Sequence, residues 1–103
     1  MLDSSSSNLR TGGQILVDCL RLHGVDTVFC VPGESYLATL DAFHDVQDKI
    51  ELVVCRQEGG VTNMADAWGK MTGKPGIAFV TRGPGATTAS VGIHTAHQDS
   101  TPV

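Results

Sequence analysis

The sequence predicts an α/β fold, an open parallel sheet with helices on both faces. Segments of helical and strand character alternate through the chain, which is the order that builds a parallel sheet through helical crossovers. The strand segments "TVFCV", "ELVVC" and "GIAFVT" are almost continuously apolar, as strands buried on both faces are. Each of them runs into a glycine-containing loop and then into a segment of helical spacing.

The first helix is expected over "TGGQILVDCLRLHG" (11–24). Thr11 and Gln14 stand at capping-box spacing, Ile15, Leu16, Cys19, Leu20 and Leu22 supply a broad apolar face, and Gly24 is the stop. Strand "TVFCV" (27–31) ends at Pro32-Gly33, and "ESYLATLDAFHDV" (34–46) places Leu37, Leu40 and Phe43 three apart, as a second helix would. Strand "ELVVC" (51–55) precedes a third helix in which Val61, Met64, Ala65 and Trp68 share a face and Gly73 with Pro75 closes the end. Strand "GIAFVT" (76–81) leads to a fourth helix over "GPGATTASVGIHTAHQD" (83–99), and Val103 is where a fourth strand would begin.

A chain of 103 residues holds one domain at most. Residues 1–10, "MLDSSSSNLR", lack the basic and apolar regions of a secretory signal and read as a disordered Ser-rich tail, leaving 11–103 as the domain. A net charge of -4 with scattered Lys and Arg excludes a nucleic-acid footprint. No apolar run approaches the roughly 20 residues of a membrane span. Cys19, Cys30 and Cys55 show no C-x-x-C spacing and read as buried free thiols of a reducing compartment, so a cytoplasmic location is expected.

In open parallel sheets the ligand binds beyond the carboxyl ends of the strands, where helix N-termini point inward. The loops that reach this edge are "VPGES" (31–35), "CRQEGG" (55–60) and "TRGPGATT" (81–88). A single glycine loop is a plain turn, but three brought to one edge make a binding cleft. Glu58 sits in the middle loop. It serves either as a first-turn carboxylate that complements the helix dipole or as a partly desolvated carboxylate able to share a proton, and spacing does not choose between these.

Other motifs carry less. "GKMTGKPG" has three residues, not four, between its glycine and Gly-Lys, so it is not a P-loop. "GPGATT" lacks the third glycine of a dinucleotide fingerprint. His94 and His97 lie three apart but have only Asp99 as a third ligand, so no metal site is assigned. Arg56 and Arg82, each just past a strand end, either hold an anion or pair with Glu34 or Glu58.

The segments "GVDTVFCVPGES" and "RQEGGVTNMADAWGKMTGKPGIAFVTRGPGATTASVGIHTAHQDSTPV" resemble the N-terminal pyrimidine-binding domain of thiamine-diphosphate enzymes of the acetolactate synthase group. The resemblance runs from about Thr11 to Val103. It implies thiamine diphosphate as cofactor and a catalytic role for Glu58, which at the family's glutamate position hydrogen-bonds a ring nitrogen of the aminopyrimidine and favours the tautomer that deprotonates the thiazolium carbon. It also implies that Pro32, Gly33 and Glu34, with Pro84, Gly85 and Thr88, line the pyrimidine and thiazolium site. The implied substrate is a 2-keto acid such as pyruvate, decarboxylated and then joined to a second carbonyl compound or protonated. The implied full-length enzyme is a homo-oligomer, a dimer or tetramer, with no nucleic-acid or membrane partner.

This sequence departs from the family pattern at Gln57 and Gly59, where His and Gln are commoner, and at Glu34 and Thr88, where Gly and Asn are. In the family the diphosphate and Mg2+ are held by a separate C-terminal domain with a Gly-Asp-Gly motif, which these 103 residues do not contain. The expectation is therefore a partial domain, a fragment that supplies half a site and is inactive alone. A different class remains open: a non-catalytic module of the same fold that binds a ligand or a partner chain through its exposed sheet edge.

Overall fold

A computed structural model describes residues 9–103. The tail expected over 1–10 thus lies mostly outside the described residues, and its last member, Arg10, is tied to the first helix by an ion pair with Asp18. Helices α1 (Gly12–Leu22), α2 (Leu37–Asp45), α3 (Glu58–Thr72) and α4 (Arg82–Gln98) alternate with strands β1 (Thr27–Cys30), β2 (Glu51–Val54) and β3 (Ala78–Phe79). The strands form one parallel sheet in the order β2-β1-β3, with Thr27 opposite Glu51 and Phe29 opposite Ala78. The expected α/β class with a parallel sheet is what the chain adopts.

The order explains why both faces are covered. The chain moves from β1 outward to β2 and then back past β1 to β3, so two crossovers of one hand run in opposite directions and put α2 and α3 on opposite faces. On one face Val28 packs with Val17 of α1 and with Ala42 and Phe43 of α2, joined by Leu52 and Phe79. On the other, Phe29 packs with Val61 and Ala65 of α3, joined by Val53, Trp68 and Ala78. The period-two alternation of each strand feeds both cores.

Several expectations are corrected. Helix α1 forms with its full capping box between Thr11 and Gln14, but its buried residues are Gly13 and Val17. A Cβ on Gly13 would lie 2.5 Å from the Ala38 carbonyl carbon, so this face is pressed onto α2 and Ile15, Leu16, Cys19 and Leu22 turn outward. Cys30 is buried, Cys55 half-buried, and Cys19 exposed. Residues Glu34–Tyr36 form a 3₁₀ turn before α2 begins. This tighter winding changes the register, leaving Leu37 61% exposed while Tyr36 turns inward. Strand β3 is only two residues long, and just before it Gly76 N–H donates to Pro102 O at 3.0 Å. Val103 sits in no strand.

Helix α3 is buried on two sides. Beside the expected Val61 and Ala65, its second buried side carries Gly59, Thr62, Asp66 and Gly69, whereas Met64 is exposed. That side meets Gly85, Ala89, Gly92 and Ala96, the buried residues of α4. Small side chains let the backbones approach, and Thr62 Oγ1 donates across the gap to Ala89 O at 2.8 Å. Lys70 closes the far end, reaching Asp66 at 2.8 Å on its own helix and Asp99 at 2.7 Å beyond α4. The hydrogen bond from Lys70 is the largest influence holding the Asp66 carboxyl below its ordinary range.

A Cβ on Gly92 would fall 2.5 Å from the backbone carbon of Thr62. Gly92→Ala is therefore expected to destabilise the chain by about 1–3 kcal/mol through overpacking. Urea unfolding followed by circular dichroism measures it, and a loss below a few tenths of a kcal/mol would contradict this helix contact.

Candidate functional site

The strand order reverses between β1 and β3, so the carboxyl ends of these two strands open a crevice. Loop 31–33 leaves β1 on one side of it, and Thr81 with Arg82 leaves β3 on the other. The two lips touch: a Cβ on Gly33 would lie 2.6 Å from Thr81 Cβ, which only glycine permits. One residue further along, Arg82 Nε donates to Ser35 Oγ at 2.8 Å. Arg82 itself has φ +53, a left-handed conformation costly for a residue with a side chain.

Glu58 is the first residue of α3 and is half-buried. Its Oε2 faces Gly85 in the first turn of α4, where a Cβ would stand 3.6 Å from that oxygen. Gly85 places no side chain against that oxygen. Opposite it lies Tyr36, whose hydroxyl donates to Val31 O and lies 3.5 Å from Phe79 O. Desolvation pushes the Tyr36 phenol up to about 12, and the neighbouring Cys30 and Glu58 add to the shift. The Cys30 thiol is raised as well, by burial first and then by Cys55.

Two helix N-termini frame these groups. Neither Gln57 before α3 nor Thr81 before α4 caps its helix with a side chain, so first-turn N–H groups of both helices remain open at this edge. Helix α1, by contrast, satisfies its own amides through Thr11 and Gln14. A half-buried carboxylate beside open amides and a phenol that keeps its proton is suited to exchanging a proton with a weakly basic ring. Glu58 complements the α3 dipole at the same time, worth roughly 0.3–1 kcal/mol.

The sequence-derived residues divide accordingly. Glu58 and Gly85 meet, and Gly33 stands at the lip of the same crevice. Pro32, Glu34 and Pro84 are exposed around it, and Thr88 turns its hydroxyl back onto Pro84 O at 2.9 Å, one turn down α4. Gly59 does not make room for a ring: a Cβ there would meet Val91 of α4 at 3.2 Å, so it serves helix packing, whereas Gly60 faces open space. Among the described residues the ion pairs are Arg10–Asp18, Lys70–Asp66 and Lys70–Asp99, so neither Arg56 nor Arg82 pairs with Glu34 or Glu58. His94 and His97 are exposed, and the described residues bring no three His, Cys, Asp or Glu together as a metal site. Sequence reasoning missed Tyr36 and named Ser35 and Thr81 only as members of their loops. The signal for Tyr36 was that it is the chain's single tyrosine and falls three residues past Pro-Gly at a strand end.

A cavity of about 530 Å³ lies at the opposite edge, lined by Leu20, Val25, Trp68, Thr72, Pro75 and Ile77 among others. There the helices present their carboxyl ends, whose free carbonyls disfavour an anionic ligand.

The family described as "Thiamine pyrophosphate enzyme, N-terminal TPP binding domain" matches residues 10–103. The chain belongs to this family. It is 41% identical to the acetolactate synthase large subunit of Parasynechococcus marenigrum over 99% of its own length and 17% of that protein's. It is 42% identical to acetolactate synthase of Bacillus subtilis over 89% of its length and 16% of that protein's. With the mitochondrial acetolactate synthase catalytic subunit of Saccharomyces cerevisiae the identity is 39%, over 99% of this chain and 15% of that protein. The chain thus spans a small part, 15–17%, of these relatives.

The Tyr36 environment makes an optical prediction. The folded chain keeps the phenol proton up to about 12, whereas an unfolded chain releases it near 10. Folded stability contributed by this group is therefore complete below pH 10 and is lost as pH rises toward 12. The melting temperature should fall over that window, and less steeply in Tyr36→Phe. Absorbance at 295 nm reports the sole tyrosine directly, and ionisation at its ordinary value in the folded chain would contradict this placement.

Proposed function

We propose that this chain forms the pyrimidine side of a thiamine-diphosphate site in an acetolactate synthase-like enzyme, with Glu58 as the group that activates the cofactor. The observation that carries the reading is Glu58 itself, half-buried at the head of α3 with Oε2 facing Gly85 of α4. A planar heterocycle fits there, because Gly85 offers no side chain above the carboxylate and Gly60 faces open space. When bound, thiamine diphosphate supplies the nucleophilic carbon and the electron sink for cleaving a 2-keto acid.

The chain's residues prepare that chemistry. Glu58 holds or hands over a proton at its carboxylate, toward a ring nitrogen. The Gly33 and Thr81 lips limit access of water from the β1–β3 side. Pro32, Glu34, Pro84 and Thr88 border the remainder of the ligand. The diphosphate and Mg2+ are held by other protein, with the full enzyme a cytoplasmic homo-oligomer that decarboxylates or carboligates 2-keto acids such as pyruvate. On this reading the 103 residues alone do not turn over substrate.

The test is reconstitution with the remaining portion of an acetolactate synthase relative that lacks its own N-terminal segment. The parent chain should restore pyruvate decarboxylation, and Glu58→Gln, which keeps size and helix start, should lower the rate by at least about 100-fold, the scale of a lost acid–base group. A Gln variant within a few-fold of the parent would overturn the assignment. Turnover by the parent chain alone would overturn the half-site.

A further inference from the structure

Tyr36 has no part in the reading above beyond its neighbourhood, yet its contacts are specific. Its hydroxyl donates to Val31 O, just past the end of β1, and approaches Phe79 O at the end of β3, so both carbonyls stand where these strands part. The N–H of Val31 donates to the same Phe79 O at 3.2 Å, the last rung between β1 and β3 among the described residues. Past that rung the chain diverges into Gly33 on one side and Thr81 on the other. The phenol is itself held from below: its ring leans on Phe79 at 5.7 Å, and Phe79 meets Phe43 of the core edge-on at 5.5 Å. A rigid ring anchored in the core thus places one hydroxyl at the fork of the two strands.

The bond arithmetic gives this hydroxyl a defined task. A phenol has one proton to donate, and Val31 O receives it; Phe79 O takes the Val31 N–H. Val31 is therefore held through both its N–H and its C=O, at the point where the loop to Pro32 and Gly33 begins. Removing the hydroxyl would leave the carbonyl of Val31 without its donor and the final rung at the end of a two-residue strand. The contact between Gly33 and Thr81 depends on that rung for its spacing.

We propose that Tyr36 is a positioning residue: its hydroxyl fastens the carboxyl ends of β1 and β3, and so fixes the width of the crevice beside Glu58 and its affinity for a pyrimidine ring. The ligand half rests on the thiamine-site reading, whereas the fastening half rests on the contacts alone.

The experiment compares the 103-residue chain with Tyr36→Phe, which keeps the ring, and with Thr72→Val, which removes a side-chain bond to Trp68 O at the far end of α3. Amide exchange is followed at Val31 N–H, with Phe29 N–H as the reference rung because it donates to Ile77 O at 3.0 Å two residues earlier. In Tyr36→Phe the Val31 amide should exchange at least ten-fold faster relative to Phe29, and in Thr72→Val the ratio should stay within two-fold of the parent. Thiamine is then titrated and read at the Glu58 amide. Its Kd should rise at least five-fold in Tyr36→Phe and stay within two-fold in Thr72→Val. An unchanged Val31 exchange ratio overturns the fastening role, and faster exchange with an unchanged Kd overturns the link to affinity. Faster Val31 exchange in a chain whose parent does not bind thiamine overturns the affinity half while supporting the fastening, and the thiamine reading is then decided by the reconstitution with Glu58→Gln.

Discussion

The contact of α3 with α4 decides where the parts of the site stand. Helix α4 has no continuous apolar face: Val91 and Ile93 are about half exposed, and what it buries is Gly85, Ala89, Gly92 and Ala96. Such a helix gains little from a sheet, since the stabilisation scales with apolar area removed from water. It gains instead from close backbone approach, which brings dispersion contacts and allows the Thr62 hydroxyl to reach Ala89 O. A buried hydrogen bond of that kind is worth about 0.5–1.5 kcal/mol, and leaving its partner unsatisfied costs more. Lys70, shared between Asp66 and Asp99, fixes the other end of the same pair.

The functional edge follows from that packing. With α4 held against α3, its first turn lies beside the first turn of α3, and Gly85 comes to rest next to Glu58. The strand order then supplies the third wall, because β1 and β3 part at the same level and carry Gly33, Thr81 and Tyr36 there. Local strain gathers at this point too, in the left-handed Arg82 that begins α4 and is held by Ser35. The family membership accounts for the class of ligand, and the geometry accounts for how a carboxylate at a helix start stays half-buried against a glycine.

Much of this was legible in the sequence. The alternation of helix and strand, the capping box of Thr11 and Gln14, the left-handed Gly73 that ends α3 and the three loops at one edge are all local signals, and all appear where the residues put them. What was not legible is the choice among faces. Helix α1 carries two apolar arcs, and the one that packs is selected by the pressure of Gly13 on α2, a tertiary fact. The exchange of Leu37 for Tyr36 as the inward residue comes from a 3₁₀ turn that propensity does not announce. The pattern Gly85, Ala89, Gly92, Ala96 was visible as a spacing, but hydrophobic periodicity does not register it because the residues are small rather than apolar and large.

The molecule carries its own reporters for the central claim, since its single tyrosine stands at the carboxyl edge beside Glu58 and its single tryptophan, Trp68, lines the cavity at the amino edge. The most direct measurement is a thiamine titration of the chain by NMR, with the Tyr36 ring and the Trp68 indole followed together. Saturable shifts of the Tyr36 ring signals are expected while the Trp68 indole stays in place. Shifts of Trp68 with Tyr36 unmoved would put the ligand at the wrong end of the sheet and contradict the site.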